Sequence, residues 1–112
     1  MDLKSLGLIV GFLLVMGWRF YKVRKFKREL PLFIAQGAII LDVRTPQEYS
    51  RGAKEGSRNL PLDRLERECS HLNPHQTILL CCESGTRSAF AARILKKKGF
   101  NKVINAGSWR NI

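Results

Sequence analysis

The residues best suited to chemistry form one short run, Cys82-Glu83-Ser84-Gly85-Thr86-Arg87-Ser88. The run follows an apolar segment typical of a buried strand and leads into a segment with the pattern of a helix. Backbone amides of such a loop can point inward around an anion, and the N-terminus of the following helix adds partial positive charge. Arg87 would add a full positive charge. Together these effects favour the thiolate of Cys82, which is the nucleophilic form of cysteine.

We therefore predict that Cys82 is the catalytic nucleophile and that the loop is its binding cradle. Gly85 permits the close backbone turn that a cradle needs. The residues predicted to bind substrate are Glu83, Ser84, Gly85, Thr86, Arg87 and Ser88.

The other two cysteines have a simpler interpretation. Cys81 points to the opposite face of the strand from Cys82, so it is predicted to be buried packing, with a resolving thiol as the alternative. Cys69 lies on the apolar side of a predicted helix and is expected in the core. Three cysteines, two of them adjacent, do not form a disulfide framework. His71 and His75 do not pair with a C-x-x-C, so no metal site is predicted, and no cofactor is implied.

Strand-like and helix-like segments alternate along residues 31–112. Short apolar runs predict strands over 38–43, 77–82 and 102–105. Helical spacing predicts helices over 31–36, 63–72 and 87–98. Thr45-Pro46-Gln47-Glu48 has the pattern of a capping box that opens a further helix. This alternation indicates an α/β domain with a mainly parallel central sheet flanked by helices.

Two charged residues end the first predicted strand. Ligands of parallel sheets bind outside the carboxyl ends of the strands, where Cys82 also lies. Asp42 could hydrogen-bond the loop amides or pair with Arg87 there. We expect Asp42 and Arg44 to order the cradle from behind without taking part in the chemistry.

The N-terminal segment has the composition of a membrane anchor. Residues 6–18 carry no charge, and Trp18 and Tyr21 lie where interfacial aromatic residues are found. Six Lys or Arg residues follow between Arg19 and Arg28. By the positive-inside rule, the C-terminal side then faces the cytoplasm. The alternative is a cleaved signal peptide, but no small-residue cleavage site follows the apolar run.

The predicted organisation has three parts: a transmembrane anchor (1–21), a basic juxtamembrane linker (22–30) and an α/β domain (31–112). Residues 3–28 would contact membrane lipid. The expected location is the inner (cytoplasmic) membrane, as a single-pass protein with its domain in the cytoplasm. The net charge of +11 raises the possibility of nucleic-acid binding. The densest basic block directly follows the apolar run, however, so lipid explains it better and no nucleic-acid partner is predicted.

Residues from about Pro31 to Trp109 resemble the rhodanese family of sulfurtransferases. The similar segments are Leu41-Asp42-Val43-Arg44 with Pro46-Gln47-Glu48-Tyr49, then Gly52 to Pro61, then the Cys82–Ser88 loop, and finally Lys98-Gly99-Phe100 with Gly107 and Trp109. The resemblance implies that Cys82 carries a sulfane sulfur as a persulfide. It also implies a small sulfur donor and a thiol or cyanide acceptor as partners.

Loop length and composition separate this chain from some relatives. Four residues lie between Cys82 and Arg87, whereas cysteine phosphatases have five residues between their cysteine and arginine. Phosphatase activity is therefore the weaker interpretation. Glu83 stands where many thiosulfate-using members carry arginine, and a carboxylate at the mouth would repel a dianionic donor. A non-turnover persulfide carrier or a membrane docking module is the alternative function. The chain ends three residues after Trp109, so we expect the final helix of many members to be missing.

Overall fold

The computed structural model describes all 112 residues and contains one parallel sheet. The helices are α1 (Leu3–Ala35), α2 (Pro46–Ser50), α3 (Leu62–Glu68) and α4 (Thr86–Lys97), with 3-10 turns at Cys69–His71 and Trp109–Asn111. The strands are β1 (Ile39–Asp42), β2 (Arg58–Asn59), β3 (Ile78–Cys82) and β4 (Val103–Ser108), in the order β2-β1-β3-β4. All three strand pairs are parallel. The predicted α/β class is confirmed.

The two central strands, β1 and β3, are buried along their whole length. Because side chains alternate across a strand, they feed two separate apolar clusters. Ile39, Leu41, Leu80 and Cys82 pack on one face with α3 and α4. Ile40, Leu79 and Cys81 pack on the other face. Cys81 and Cys82 therefore lie in different environments, as their adjacency predicts.

The C-terminal half of α1 covers the second face of the sheet. Phe26, Leu30 and Phe33 pack against the cluster that contains Ile40 and Leu79. The prediction of a separate helix over 31–36 is wrong, because α1 continues through Pro31 to Ala35. Proline removes one backbone hydrogen bond from a helix interior. Packing of the apolar residues on both sides of the proline holds the helix together across that gap.

Residues 22–30, predicted as a linker, belong to the second half of the same helix. The first half of α1 lies away from the sheet. Its most apolar 18-residue stretch has no buried residue, and the helix is long and apolar enough to cross a membrane. That statement rests on the length and the composition of the helix alone.

Local signals place the remaining elements near their predicted positions. Thr45 and Glu48 form the expected capping box at the start of α2. The two-residue strand β2 (Arg58–Asn59) lies outside the three predicted strands. β4 continues to Ser108, past the predicted end at Asn105. An irregularity opposite Leu80 and Cys81 shifts the pairing register, so that Cys82 lies beside Ser108.

Candidate active site

The loop after β3 wraps around the sulfur of Cys82. Cys82 is only 1% exposed at the end of the strand, and α4 begins at Thr86. Gly85 has φ +96°, a conformation that side chains disfavour. A Cβ atom there would also lie 3.3 Å from the Cα of Gly107. Both facts explain why glycine is needed at the tightest point of the loop.

The sulfur accepts hydrogen bonds from the loop. The amide of Gly85 donates to Sγ of Cys82 at 2.9 Å, and the hydroxyl of Ser88 lies 3.5 Å away. Burial, the largest single influence, raises the pKa of the thiol. The Ser88 hydroxyl and the amides of Ser88, Ser84 and Gly85 together outweigh it, so the pKa of Cys82 lies below its usual value. The loop has the geometry expected of a thiolate cradle.

Asn105, which the sequence reasoning missed, holds this loop from the neighbouring strand. Its Nδ2 donates to the carbonyl of Gly85 at 3.0 Å. Its Oδ1 accepts from the amide of Gly107 at 3.0 Å and lies 2.6 Å from the hydroxyl oxygen of Ser88, whose single proton can go either to this oxygen or to the sulfur of Cys82. An amide side chain in an otherwise apolar strand was the available signal. It carried no information about which loop the side chain would reach.

Replacing Ser88 with alanine should raise the pKa of Cys82. The hydroxyl is the strongest contributor that lowers this pKa, so its loss leaves less thiolate at neutral pH. We expect alkylation of Cys82 by iodoacetamide to slow several-fold at pH 7 and to approach the wild-type rate at high pH, where both thiols are ionised. Ser84→Ala is the matched control, because the side chain of Ser84 is exposed and its amide remains. Equal pH profiles for wild type and Ser88→Ala would contradict the assigned hydrogen bond.

The guanidinium of Arg87 is paired with a carboxylate. It forms a two-point ion pair with Glu48 at 2.6 and 2.8 Å. Arg87 holds the pKa of Glu48 at about 2. The full positive charge expected from Arg87 is therefore largely balanced by Glu48, and the amides and the Ser88 hydroxyl carry most of the stabilisation of the thiolate.

Asp42 pairs with Arg44 rather than with the loop amides or Arg87. The carboxylate of Asp42 accepts from Nη2 of Arg44 at 2.8 Å and from its Nε at 3.0 Å. Nη2 of Arg44 also donates to the carbonyl of Gly52 at 2.7 Å, and the guanidinium lies over the ring of Trp109. Asp42 and Arg44 are both almost fully buried. Neither possible contact of Asp42, with the loop amides or with Arg87, is formed, because its carboxylate hydrogen-bonds Arg44 instead.

The carboxylate of Glu83 is bound by two residues near the C-terminus, Trp109 and Arg110. It accepts from Nε1 of Trp109 at 3.2 Å and from Arg110, and Nη1 of Arg44 lies 3.7 Å away. Arg110 and then Trp109 lower the pKa of Glu83, so it stays ionised. Two cations balance its charge, which weakens the expected repulsion of a dianionic donor.

The remaining predicted site residues lie on the rim of the cradle or away from it. Ser84 and Thr86 are exposed, with their hydroxyl oxygens 3.4 Å apart. Cys81 is fully buried on the opposite face of the sheet, and burial raises its pKa to about 12. A resolving role for Cys81 is therefore disfavoured. Cys69 is buried in the core beside Leu65, as predicted.

The chain belongs to the rhodanese-like family: residues 27–112 match the family described as "Rhodanese-like domain". The thiosulfate sulfurtransferase PspE of Escherichia coli is 33% identical over 85 residues, which cover 74% of this chain and 80% of PspE. The "Putative sulfur carrier protein YrkF" of Bacillus subtilis is 46% identical over 66 residues, which cover 59% of this chain. The chain spans only 36% of YrkF and 54% of YqhL, another Bacillus subtilis relative.

Solved structures agree with this assignment. A structure described as "rhodanese with anions from E. coli" has a TM-score of 0.63 and 29% identity, covering 68% of this chain and 92% of that one. The human single-domain sulfurtransferase TSTD1 has a TM-score of 0.66 and 25% identity, covering 75% and 88%. The fold is the rhodanese fold, and several of the relatives are named as sulfurtransferases.

Proposed function

We propose that the chain is a sulfurtransferase of the thiosulfate sulfurtransferase (rhodanese) type that moves a sulfane sulfur through a persulfide on Cys82. The observation that carries the proposal is the sulfur of Cys82, which accepts a hydrogen bond from the Gly85 amide at 2.9 Å within a strand–loop–helix cradle. A cysteine whose thiolate is favoured in this way is an activated nucleophile.

The reaction consists of two displacements through one covalent intermediate. In the first, the thiolate of Cys82 attacks the sulfane sulfur of the donor. The bond between that sulfur and the rest of the donor breaks, and the leaving group keeps the electron pair. In the second, an acceptor thiolate or cyanide attacks the outer sulfur of the persulfide. The S–S bond then breaks and Cys82 leaves as a thiolate, ready for another donor.

Each cradle residue has a role in this scheme. The amides of Ser84, Gly85 and Ser88 stabilise negative charge on either sulfur, and the Ser88 hydroxyl adds a further hydrogen bond. Arg87 is held in place by Glu48 and interacts electrostatically with the sulfur of Cys82. Asp42 and Arg44 support the cradle through the buried ion pair behind it.

A persulfide carrier that does not turn over is the second candidate. The specific observation in its favour is the 46% identity to the relative named as a sulfur carrier. Both candidates require the same loaded cysteine, so loading alone does not separate them. Cysteine phosphatase activity is disfavoured by the four-residue spacing between Cys82 and Arg87.

Mass spectrometry of the full-length chain in non-ionic detergent tests the shared step. After incubation with thiosulfate or an organic persulfide, the protein should gain the mass of one sulfur atom on the peptide that contains Cys82. Dithiothreitol should remove it. Repeated formation of thiocyanate or of an acceptor persulfide would identify an enzyme, and one sulfur per chain without turnover would identify a carrier. A chain that takes no sulfur from either donor would overturn the proposal.

We also propose that the first half of α1 anchors the chain in the cytoplasmic membrane, with the rhodanese domain on the cytoplasmic side. Its support is the exposed apolar stretch of α1 and the basic residues that follow it. The protein should pellet with membranes and resist extraction by alkaline carbonate. Recovery from the soluble fraction with an N-terminus beyond residue 20 would instead indicate a cleaved signal peptide.

A further inference from the structure

The second half of α1 determines the direction of the helix relative to the sheet. Phe26, Leu30 and Phe33 pack on one face of the sheet, and the helix ends shortly before Ile39, where β1 begins. α1 therefore runs antiparallel to the strands, and its earlier turns pass their carboxyl ends. Every residue before Val23 is exposed, so α1 leaves the domain at this edge of the sheet.

The loop that follows Cys82 lies at the same edge and faces the departing turns of α1. A cleft of about 830 Å³ separates them. The opposite walls of the cleft include Ser84, Gly85 and Thr86 on the loop side and, on α1, mainly Trp18, Arg19, Tyr21, Lys22, Lys25 and Phe26. The side chain of Cys82 is buried on the other face of the sheet, so the cleft does not lead to its sulfur.

The apolar part of α1 ends close to the point where the helix leaves the domain. From Leu3 to Tyr21 the helix rises about 27 Å, and the hydrocarbon core of a bilayer is about 30 Å thick. The rings of Trp18 and Tyr21 lie 5.9 Å apart at the end of this stretch, and such aromatic side chains favour the boundary between hydrocarbon and headgroups. The helix then rises about 8 Å to Phe26, which is about the depth of the headgroup layer. In a chain anchored as proposed above, the cleft opens into that layer.

The cleft carries an excess of positive charge at this depth. Arg19, Lys22 and Lys25 line it, and only Lys25 has a carboxylate partner there, Glu29 at 3.9 Å. That pair is exposed and is therefore weak. The ammonium group of Lys22 lies 5.2 Å from the centre of the Trp18 ring, which holds it beside the boundary aromatic residues.

We propose that this cleft binds the phosphate of an anionic phospholipid and so holds the active-site edge of the domain against the membrane surface; this rests on the anchor proposed above. The basic side chains of α1 pair with the phosphate oxygens. Ser84 and Thr86 donate to the same group from the loop side, where their exposed hydroxyl oxygens lie 3.4 Å apart.

The size and the position of the cleft favour a lipid over a free inorganic anion. The volume of the cleft lies in the range of roughly 300–1,000 Å³ that is usual for larger organic ligands. A single phosphate ion fills only a small part of it, whereas a phospholipid also brings its glycerol and its polar head. The acyl chains then continue along the exposed apolar stretch of α1, which ends beside the cleft.

The orientation of the domain is tested in nanodiscs that contain phosphatidylglycerol and a small fraction of lipid with a gadolinium chelate on its headgroup. NMR signals of the full-length chain are recorded with and without the chelate. The amides of Ser84, Gly85 and Thr86 should lose most signal. Those of Gly37 and Gln76, at the amino edge of the sheet, should lose least. Equal losses at the two edges, or greater losses at Gly37 and Gln76, would overturn the proposal.

The cleft itself is tested by native mass spectrometry in non-ionic detergent, with short-chain phosphatidylglycerol as the probe. The cleft variant is Lys22→Gln with Lys25→Gln. The matched control is Arg24→Gln with Lys27→Gln, which removes the same charge from the same helix at residues that do not line the cleft. We expect the Kd for the lipid to rise about five- to tenfold in the cleft variant and to stay within about twofold in the control.

Two results of the binding experiment would overturn the proposal. An equal rise of the Kd in both variants would indicate diffuse attraction to a basic helix. Displacement of the lipid by inorganic phosphate at equal concentration would indicate a site for a free anion. A full-length chain that does not enter nanodiscs would overturn the anchor, and this inference with it. Neither measurement depends on Cys82, so sulfur loading stays a separate test of the proposed sulfurtransferase activity.

Discussion

Replacing Cys82 with serine should abolish sulfur loading and lower turnover by at least about a thousandfold, the scale seen when a covalent nucleophile is removed. Serine keeps the size and the local hydrogen bonds of the site, so the domain should remain folded. The hydroxyl, however, is not ionised by a cradle of this strength, and it cannot form a persulfide. Loading is measured from the intact mass, and turnover from thiocyanate production.

Cys81→Ala is the matched control for this experiment. Cys81 neighbours Cys82 in sequence but is buried on the opposite face of the sheet, with its pKa raised to about 12. Its removal should lower stability slightly through the small cavity that it leaves, while one sulfur still loads on the chain. If the folded Cys81→Ala protein no longer took up sulfur, Cys81 would be part of the reaction. Its position on the opposite face of the sheet would then not separate it from the chemistry of Cys82.

Replacing Asp42 with alanine should destabilise the domain by about 3–5 kcal/mol, the range for breaking a buried ion pair by removing one partner. Asp42 is fully buried, and its carboxylate takes three hydrogen bonds from the side chain of Arg44. Without it, the guanidinium keeps its charge in a site that water does not reach. The measurement is the shift of the denaturant unfolding midpoint, taken in the same detergent as wild type.

Glu66→Ala provides the comparison, because the pair between Glu66 and Lys98 is exposed and spans 4.0 Å. Its loss should change the free energy of unfolding by less than about 1 kcal/mol. Below its unfolding transition, the Asp42 variant should still load sulfur, since Asp42 makes no contact with the sulfur of Cys82. A folded Asp42→Ala protein that did not load would show that this carboxylate acts in the chemistry and not only in support of the cradle.

The strand–loop–helix segment that begins at Cys82 was accessible from local sequence. Cys82 stands at the end of an apolar run, Gly85 lies three residues later, and the next helix starts at once. The capping box at Thr45 and the alternation of buried strands are signals of the same kind, carried by residues close together in the chain. These structural elements were confirmed because local backbone preference and tertiary packing favour the same structure at these positions.

The partners of the site residues were not accessible in the same way. Arg87 reaches Glu48, which lies 39 residues earlier, and Gly85 is held by Asn105, which lies 20 residues later. Which side chains meet depends on the order of the strands and on the shifted register between β3 and β4. A shift of one residue would have turned Asn105 away from the loop, since side chains alternate across a strand.

The sequence by itself therefore determined the strand–loop–helix segment around Cys82 and the α/β class, because short-range patterns specify strand ends, tight turns and helix starts. Only the tertiary structure decided what surrounds that cradle. In the folded chain, Glu48 balances the charge of Arg87, and Arg110 balances that of Glu83. Asp42 forms its ion pair with Arg44. The tertiary structure also carried α1 through Pro31 onto the open face of the sheet, where burying Phe26, Leu30 and Phe33 outweighs one lost backbone hydrogen bond. That packing also brings the turns of α1 before Phe26 close to the loop that follows Cys82.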